Sequence, residues 1–124
     1  MMKKTEIRVE SVDAFFERGR KSARLADRGL PIPESHVISF GDMESLLHVL
    51  TAKRVSLIKQ VKESPASISD LARKLKRDRS AVTRDVQLLE SFGVVHVTVK
   101  PLPGHGTQKW VTPVAREIRL TADL

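Results

Sequence analysis

The stretch from Ser67 to Val95 limits most strongly what this chain can fold into. Apolar residues recur there at the i, i+3, i+4, i+7 spacing of a helical face, and they do so twice in succession. The two faces consist of Ile68, Leu71, Ala72 and Leu75, and then of Val82, Val86 and Leu89. Because only three residues connect the two segments, the second helix must cross the first steeply. The sequence therefore predicts a helix-turn-helix motif.

Capping residues predict where these two helices begin. Ser69 can cap the first helix with its hydroxyl, and Asp78 can cap the second, where its charge also suits the positive end of the helix dipole. The second helix is predicted over residues 79–91, with Gly93 closing it. Asp85 is predicted to form a local charge pair with its neighbour Arg84.

A stripe of polar side chains occupies the outward side of the second predicted helix, near its amino end. Side chains of these types bond to base edges in the major groove of DNA, and arginine can bond guanine through two hydrogen bonds. The predicted base-contacting residues are Arg79, Ser80, Thr83, Arg84 and Gln87. The alternative is a solvated helix face without a ligand.

A β-hairpin is predicted directly after this motif, over about residues 94–112. Valines at positions 94, 95, 97 and 99 form a β-rich run, and residues 101–107 are rich in glycine and proline. The chain then resumes with the segment QKWVT, which provides the second strand.

The segment from Leu46 to Leu120 resembles the winged helix-turn-helix transcription regulators of the MarR and ArsR type. It is most similar to a group of small proteins, described only as DNA binders or regulators, that carry the motif R-D-x-x-x-V-x-R-D-V. The matching residues are Arg77, Asp78, Val82, Arg84, Asp85 and Val86. The resemblance implies that the hairpin is a wing beside the recognition helix. The residues then expected to contact phosphates are Arg77, Lys100, His105 and Lys109. The alternative is a hairpin that only closes the core.

The positive charge is concentrated on the same part of the chain. The whole chain carries a net charge of +7, and residues 53–100 hold 11 basic and 5 acidic side chains. Such a localised field favours a polyanionic partner, because neutralised phosphates release counterions. The alternative is that the positive charge only makes this small protein soluble and has no polyanionic partner.

The remaining segments predict a mainly α protein with a small β-hairpin wing, of the α+β class. Residues 1–35 are assigned to an amino-terminal arm, with a strand around Ile7 and a helix over residues 12–30, and residues 36–124 to the winged helix-turn-helix domain. The boundary is a linker at residues 30–35. In the second domain, a strand over residues 36–40 precedes two helices capped by Asp42 and Thr51. The pattern turns Leu47 inward and Arg54 outward.

The composition argues against several other classes of protein. Cysteine is absent, which excludes disulfides and thiolate metal sites, and the four histidines lack the spacing of a zinc site. No grouping of side chains suggests catalysis, so we expect neither an enzyme nor a cofactor. Without a signal peptide or a long apolar run, the sequence favours a soluble, cytoplasmic protein that is not in the membrane.

These observations predict a sequence-specific binder of double-stranded DNA, and the resemblance implies that it regulates transcription. A single such module buries about 600 to 1,000 Å² on DNA, so a homodimer on a palindromic site is expected. The arm and the helix beginning at Met43 are the candidate dimer interfaces. The alternative is a protein-interaction module, such as a winged-helix antitoxin or adaptor, whose arm binds a protein partner through Phe15 and Phe16. RNA binding is disfavoured because stacking aromatic residues are lacking.

Overall fold

The computed structural model describes residues 1–32 and 36–124, and within these ranges the chain forms five helices and six strands. The helices are α1 (Val12–Asp27), α2 (Met43–Val49), α3 (Ala52–Glu63), α4 (Ile68–Leu75) and α5 (Arg79–Ser91). The strands are β1 (Met2–Val9), β2 (His36–Phe40), β3 (Ala66–Ser67), β4 (Val95–Pro101), β5 (Thr107–Pro113) and β6 (Ala115–Ala122). Residues 33–35, which end the predicted linker, lie outside the described residues.

Helices α4 and α5 form the predicted helix-turn-helix motif, and α5 has the bounds that the sequence predicted. Leu71 of α4 packs in one buried cluster with Val82 and Leu89 of α5. Between the helices, Lys76 takes a left-handed conformation with φ of 53°, which reverses the chain within the short connection. Such a backbone is uncommon for a residue other than glycine.

The predicted start of α4 at Ser69 is wrong by two residues. The hydroxyl of Ser67 accepts the hydrogen bond from the amide of Asp70 at 3.1 Å, which makes Ser67 the cap. Ile68 is buried in the core as the first helical residue. Because the helix must include Ile68, the cap falls on the serine before it.

Helices α2 and α3 contribute to the same core, and both of their predicted caps are confirmed. The Asp42 carboxylate accepts from the amide of Ser45 at 2.7 Å, and the Thr51 hydroxyl accepts from the amide of Arg54 at 3.3 Å. In α3, the buried side chains are Leu57, Ile58 and Val61.

Two side-chain directions in these helices differ from the prediction. Leu47 is 57% exposed, because the seven-residue α2 buries only Leu46. Arg54, which was predicted to point outward, reaches the Asp85 carboxylate of α5 at 3.0 Å. The sequence pattern of α3 alone could not indicate this contact with another helix.

Strands β4 and β5 form the predicted hairpin, with residues 102–106 at its tip. They pair antiparallel, from Val95 opposite Pro113 to Pro101 opposite Thr107. The short β3 pairs with the other side of β5, which makes a sheet in the order β3-β5-β4. The hairpin is therefore anchored to the residues that lead into α4.

A second sheet joins both ends of the chain. Its order is β2-β1-β6, and β1 pairs parallel with both neighbours. Residues Glu117 to Leu120 lie in β6 and pair with Lys4 to Ile7 of β1. Thus β1, which we assigned to the arm, is the central strand of a sheet whose outer strands come from the other predicted domain.

Helix α1 connects β1 to β2 and contains no buried residue. The Ser11 hydroxyl caps it by accepting from the amide of Ala14 at 3.1 Å. It ends at Asp27, three residues before the predicted end. Arg18 ties it to the sheet by donating to the Glu10 carboxylate and, at 3.0 Å, to the Ser39 hydroxyl.

The β2-β1-β6 sheet packs against the end of α5. The rings of Phe40 and Phe92 stack with centroids 5.6 Å apart. Gly93, with φ of +79°, lies under His36, whose Cε1 would be 2.9 Å from a Cβ at that position. These contacts extend one hydrophobic core from the sheet to the helix-turn-helix motif.

Candidate nucleic-acid interface

The amino-terminal part of α5 presents the predicted base-contacting residues on one surface. Arg79, Ser80, Arg84 and Gln87 are exposed, while Thr83 is half-buried. A surface depression is lined by Asp78, Arg79, Ser80, Thr83 and Arg84. The structure thus brings four of the five predicted base-contacting residues to one concave site, and it leaves Gln87 outside the lining.

A second depression lies between α4, α5 and the wing. Its lining consists of Ser67, Ile68, Ser69, Arg79, Thr83, Val99, Thr107, Gln108 and Lys109. Arg79 and Thr83 line both depressions, so the two form one continuous surface, which we call the reading surface. Lys109 is therefore the predicted wing residue that the fold brings beside the recognition helix.

Several residues of the reading surface were not predicted. Ser69, Thr107 and Gln108 line the depression between helix and wing and carry hydrogen-bonding groups suited to phosphate. The one signal in the sequence was the alternation along β5, which places Thr107 and Lys109 on the same side of the strand.

Two hydroxyl groups of the reading surface already have hydrogen-bond acceptors within the chain. Thr83 Oγ1 donates to the carbonyl oxygen of Arg79 at 2.8 Å, and the Ser80 hydroxyl donates to the Asp78 carboxylate. The Ser80 hydrogen bond holds the pKa of Asp78 below its ordinary value. Both hydroxyls would have to rotate in order to donate to a base, whereas the guanidinium groups would not.

The basic residues of the reading surface differ in their ion pairing from the basic residues of α4. Among the described residues, none of the ion pairs within 4.0 Å involves Arg79, Arg84 or Lys109. By contrast, Arg73 of α4 pairs with Asp70 at 2.6 Å. The charges on the reading surface are therefore available to an external anion.

The two remaining wing residues lie elsewhere on the hairpin. The Lys100 ammonium is 4.2 Å from the centre of the Trp110 ring, which is a cation–π contact. His105 is exposed at the tip, where its amide donates to the carbonyl oxygen of Leu102 at 2.9 Å. Neither residue lines the reading surface.

Arg77 occupies a different position from the one that we predicted. Its guanidinium donates to Asp85 Oδ2 at 2.7 Å, and its side chain is 17% exposed. Its Nη1 is buried without a hydrogen-bond partner in the described structure. This inward geometry does not favour the predicted phosphate contact.

The predicted pair between Asp85 and Arg84 is wrong, because Asp85 turns to the opposite side of α5. It accepts hydrogen bonds from Arg77 and, at 3.0 Å, from Arg54. Burial of Asp85 opposes its ionisation, but the two arginines outweigh this cost and hold the pKa of the carboxyl below its ordinary value. We call Arg54, Asp85 and Arg77 the buried triad.

The buried triad connects the recognition helix to its scaffold. Arg54 Nη1 also donates to the carbonyl oxygens of His48 and Val49, at 2.8 and 3.1 Å, near the end of α2. One arginine thus joins α2, α3 and α5. The triad sets the position of α5 without taking part in the exposed stripe.

Most residues of the R-D-x-x-x-V-x-R-D-V motif consequently maintain the fold. Arg77 and Asp85 form an internal ion pair, and Val82 and Val86 are buried in the core. Only Arg84 of the motif combines a charge with an outward position on α5.

Residues 1–32 and 36–124 contain neither a membrane-spanning helix nor a cluster of metal ligands. No helix there is long and apolar enough to cross a membrane. No group of three or more histidine, cysteine, aspartate or glutamate side chains in these ranges could hold a metal ion.

The helix-turn-helix motif followed by a β-hairpin that flanks α5 defines a winged helix-turn-helix protein. The chain belongs to the family named HVO_A0114, whose sequence profile matches residues 49–113. That match includes α3, the whole motif and the wing. No functionally curated protein matches the chain in sequence.

The solved structures that are similar to this chain include the following two. One is described as a "possible transcriptional regulator" from Methanosarcina mazei Go1, with 22% identity and a TM-score of 0.49. The match covers 60% of this chain and 66% of that one. The other is the homodimeric winged helix-turn-helix DNA-binding domain Mb0332 from Mycobacterium bovis, described as a "possible ArsR-family transcriptional regulator". It has 10% identity and a TM-score of 0.47, with 83% of this chain and 69% of that one covered.

Proposed function

We propose that this protein binds double-stranded DNA in a sequence-specific manner and regulates transcription. The observation that carries this proposal is the continuity of the reading surface. The exposed start of α5 and Lys109 of the wing border one concave surface, and two arginines on it have no acidic neighbour in contact among the described residues. A helix that exposes basic and polar residues at its amino end suits the major groove.

In this proposal, α5 lies in the major groove and the wing lies along the adjacent backbone. Arg79 and Arg84 are the main base-contacting residues, with Ser80, Thr83 and Gln87 as further contacts. Lys109 contacts a phosphate, and Ser69 and Gln108 support it from the same depression. Lys100 and His105 remain proposed backbone contacts of a duplex that extends beyond the reading surface.

The experiment begins with selection of bound duplexes from a random pool by the purified protein. Affinities for a selected duplex and for a random duplex are then compared between the wild type and Arg84→Ala. Loss of a base contact should cost about 1–3 kcal/mol on the selected duplex and little on the random one. Equal losses would make Arg84 a phosphate contact, and failure to enrich any sequence would contradict specific binding.

Arg116→Ala is the matched control for this experiment. Arg116 lies in β6, is exposed, and belongs to neither depression of the reading surface. The substitution Arg116→Ala removes the same charge from the chain as Arg84→Ala does. If both variants weaken binding equally, overall charge rather than the reading surface determines the affinity.

A second candidate function is favoured by the exposed aromatic residues of α1. Phe15 and Phe16 are 47% and 55% exposed, although phenylalanine is usually buried. A protein-interaction module, such as an antitoxin or adaptor, would use this surface for a protein partner. The proposed regulator would use it within a homodimer, which doubles the contacts with DNA.

A further inference from the structure

Helix α1 carries an apolar face that nothing in the described part of the chain covers. At 100° per residue, six uncharged side chains fall within an arc of about 100°. They are Val12, Phe15, Phe16, Gly19, Ala23 and Ala26, and all six are exposed. The half-buried side chains of α1 lie on the neighbouring arc, towards the sheet, and are Arg18, Ser22 and Leu25.

The glycine at the centre of this face has no explanation within the single chain. Gly19 lies in the middle of α1, where glycine weakens a helix. A Cβ built at this position meets no atom within 4 Å. Neither packing nor backbone conformation in the monomer therefore requires glycine, whereas close approach of a second helix would.

Large and small residues are separated along the face in a way that makes it complementary to itself. The first half carries Val12, Phe15 and Phe16, and the second half carries Ala23 and Ala26. If two copies of α1 cross antiparallel at Gly19, positions whose numbers add up to 38 face each other. Val12 then lies opposite Ala26, and Phe15 opposite Ala23, so each large side chain meets a small one.

The charges beside the face are complementary in the same orientation. Asp13 lies in the first half of α1, and Arg20 and Arg24 lie in the second half on the same flank, where they also pair with Glu17 of their own helix at 2.9 and 3.1 Å. An antiparallel arrangement places Asp13 near Arg24 of the second copy. It also places Asp27 beside the amino end of the second helix, where the dipole favours an anion. A parallel arrangement would instead align equal charges.

We propose that α1 is a self-association surface, occupied by α1 of a second copy in antiparallel orientation with Gly19 at the crossing point. The inference deepens the proposed homodimer, and its evidence comes from α1 alone. The helix pair is short, since 16 residues span about 24 Å. An interface of this size belongs to the weak class, so we expect a concentration-dependent dimer.

Sedimentation equilibrium of the full chain without DNA provides the first test. The wild type should approach twice the 13.9 kDa mass of the chain as its concentration rises. Phe16→Glu and Gly19→Leu should each raise the dissociation constant by at least about tenfold, through a buried charge and through steric overlap. Circular dichroism must show that each variant is folded. A monomeric wild type throughout the concentration range would overturn the proposal.

Leu47→Glu is the matched control. Leu47 is an equally exposed apolar residue, and it lies on α2, the other predicted dimer interface. Its replacement should leave the dissociation constant unchanged. If Leu47→Glu dissociates the dimer and Phe16→Glu does not, α2 forms the interface and the proposal is wrong.

Cysteine cross-linking tests the orientation, because the chain contains no cysteine. Val12→Cys mixed with Ala26→Cys should form a disulfide-linked heterodimer, whereas each variant alone should cross-link poorly. Efficient cross-linking of Val12→Cys with itself would indicate a parallel pair and overturn the antiparallel arrangement. Efficient cross-linking of neither combination would place α1 outside the interface.

Binding of DNA duplexes by the wild type separates this inference from the proposed function. A wild type that dimerises as expected but binds no duplex would contradict the DNA-binding proposal and would not affect the proposed helix pairing. A folded, monomeric wild type that binds DNA would contradict only the proposed pairing of two α1 helices.

Discussion

Asp85 of α5 accepts a hydrogen bond at 2.7 Å from Arg77, which lies in the short connection before the same helix. The Asp85 side chain is 11% exposed, and Arg54 of α3 forms a second ion pair with its carboxylate. Two arginines facing one carboxylate leave a net positive charge beside α5. Removal of the carboxylate would leave two half-buried guanidinium groups facing each other.

We therefore expect Asp85→Asn to destabilise the fold by about 1.5–3 kcal/mol, the range for lost hydrogen bonds to charged groups. Urea denaturation followed by circular dichroism measures the free energy of unfolding. Asp70→Asn is the control, because it breaks an exposed pair with Arg73. That variant should change the free energy by under about 1 kcal/mol. Equal effects of the two variants would show that the buried triad contributes no more than a surface ion pair.

The lowered pKa of Asp85 also predicts how stability depends on pH. Because the folded-state pKa lies below the unfolded-state value, the carboxylate stabilises the fold above the ordinary aspartate pKa of about 3.9. This contribution is lost as the pH falls through the folded-state pKa. The wild type should therefore lose its advantage over Asp85→Asn on acidification.

Denaturation curves of the wild type and Asp85→Asn between pH 7 and pH 3 check this dependence. The pKa values of Glu6 and Glu10 are also lowered, chiefly by hydrogen bonds from Arg8 and Arg18, so both proteins should weaken in acid. Only the difference between the two proteins reports on Asp85. A difference that stays constant over the whole range would contradict the prediction.

The sequence predicted those parts of the fold that depend on neighbouring residues. Periodicity identified α5 with its observed bounds, and turn residues identified the wing hairpin. Asp78 occupies the N-cap position of α5, but its side chain makes no capping hydrogen bond. Asp42 and Thr51 do cap their helices, and each cap involves only an amide three positions away.

Contacts between distant segments could not be predicted in this way. The pairing of β1 with β6 joins the two ends of the chain, and the bond from Arg54 to Asp85 spans 31 positions. Arg54 follows the helical pattern of exposed basic residues in α3, and Arg77 lies in the short polar connection between α4 and α5. Their inward direction depends on where Asp85 lies in three dimensions, which periodicity does not report.

The position of Arg77 leads to a prediction about the salt dependence of DNA binding. Because its guanidinium donates to Asp85, Arg77→Ala should lower stability by about 1–3 kcal/mol and leave the number of phosphate contacts unchanged. The affinity of folded protein for a random duplex should show the wild-type slope against salt concentration. Lys109→Ala, the comparison, should reduce the slope by about 1. If Arg77→Ala reduces the slope by as much, Arg77 contacts phosphate and the buried triad opens on binding.

Two glycines with the same backbone angle allow the contact between α5 and the β2-β1-β6 sheet to be measured. Gly93 and Gly106 both have φ of +79°, so alanine at either position incurs the left-handed cost of about 1–2 kcal/mol. Only at Gly93 would the new Cβ meet another group, namely the His36 ring at 2.9 Å. Gly93→Ala should therefore destabilise the protein more than Gly106→Ala, as measured by urea denaturation.

The second substitution His36→Ala tests whether this difference comes from the contact. With the imidazole removed, the additional cost of Gly93→Ala should disappear, so that alanine costs about the same at both glycines. The two substitutions are then non-additive, as expected for residues in direct contact. Additive effects would mean that the His36 side chain moves aside freely, and that β2 does not hold the end of the recognition helix through this residue.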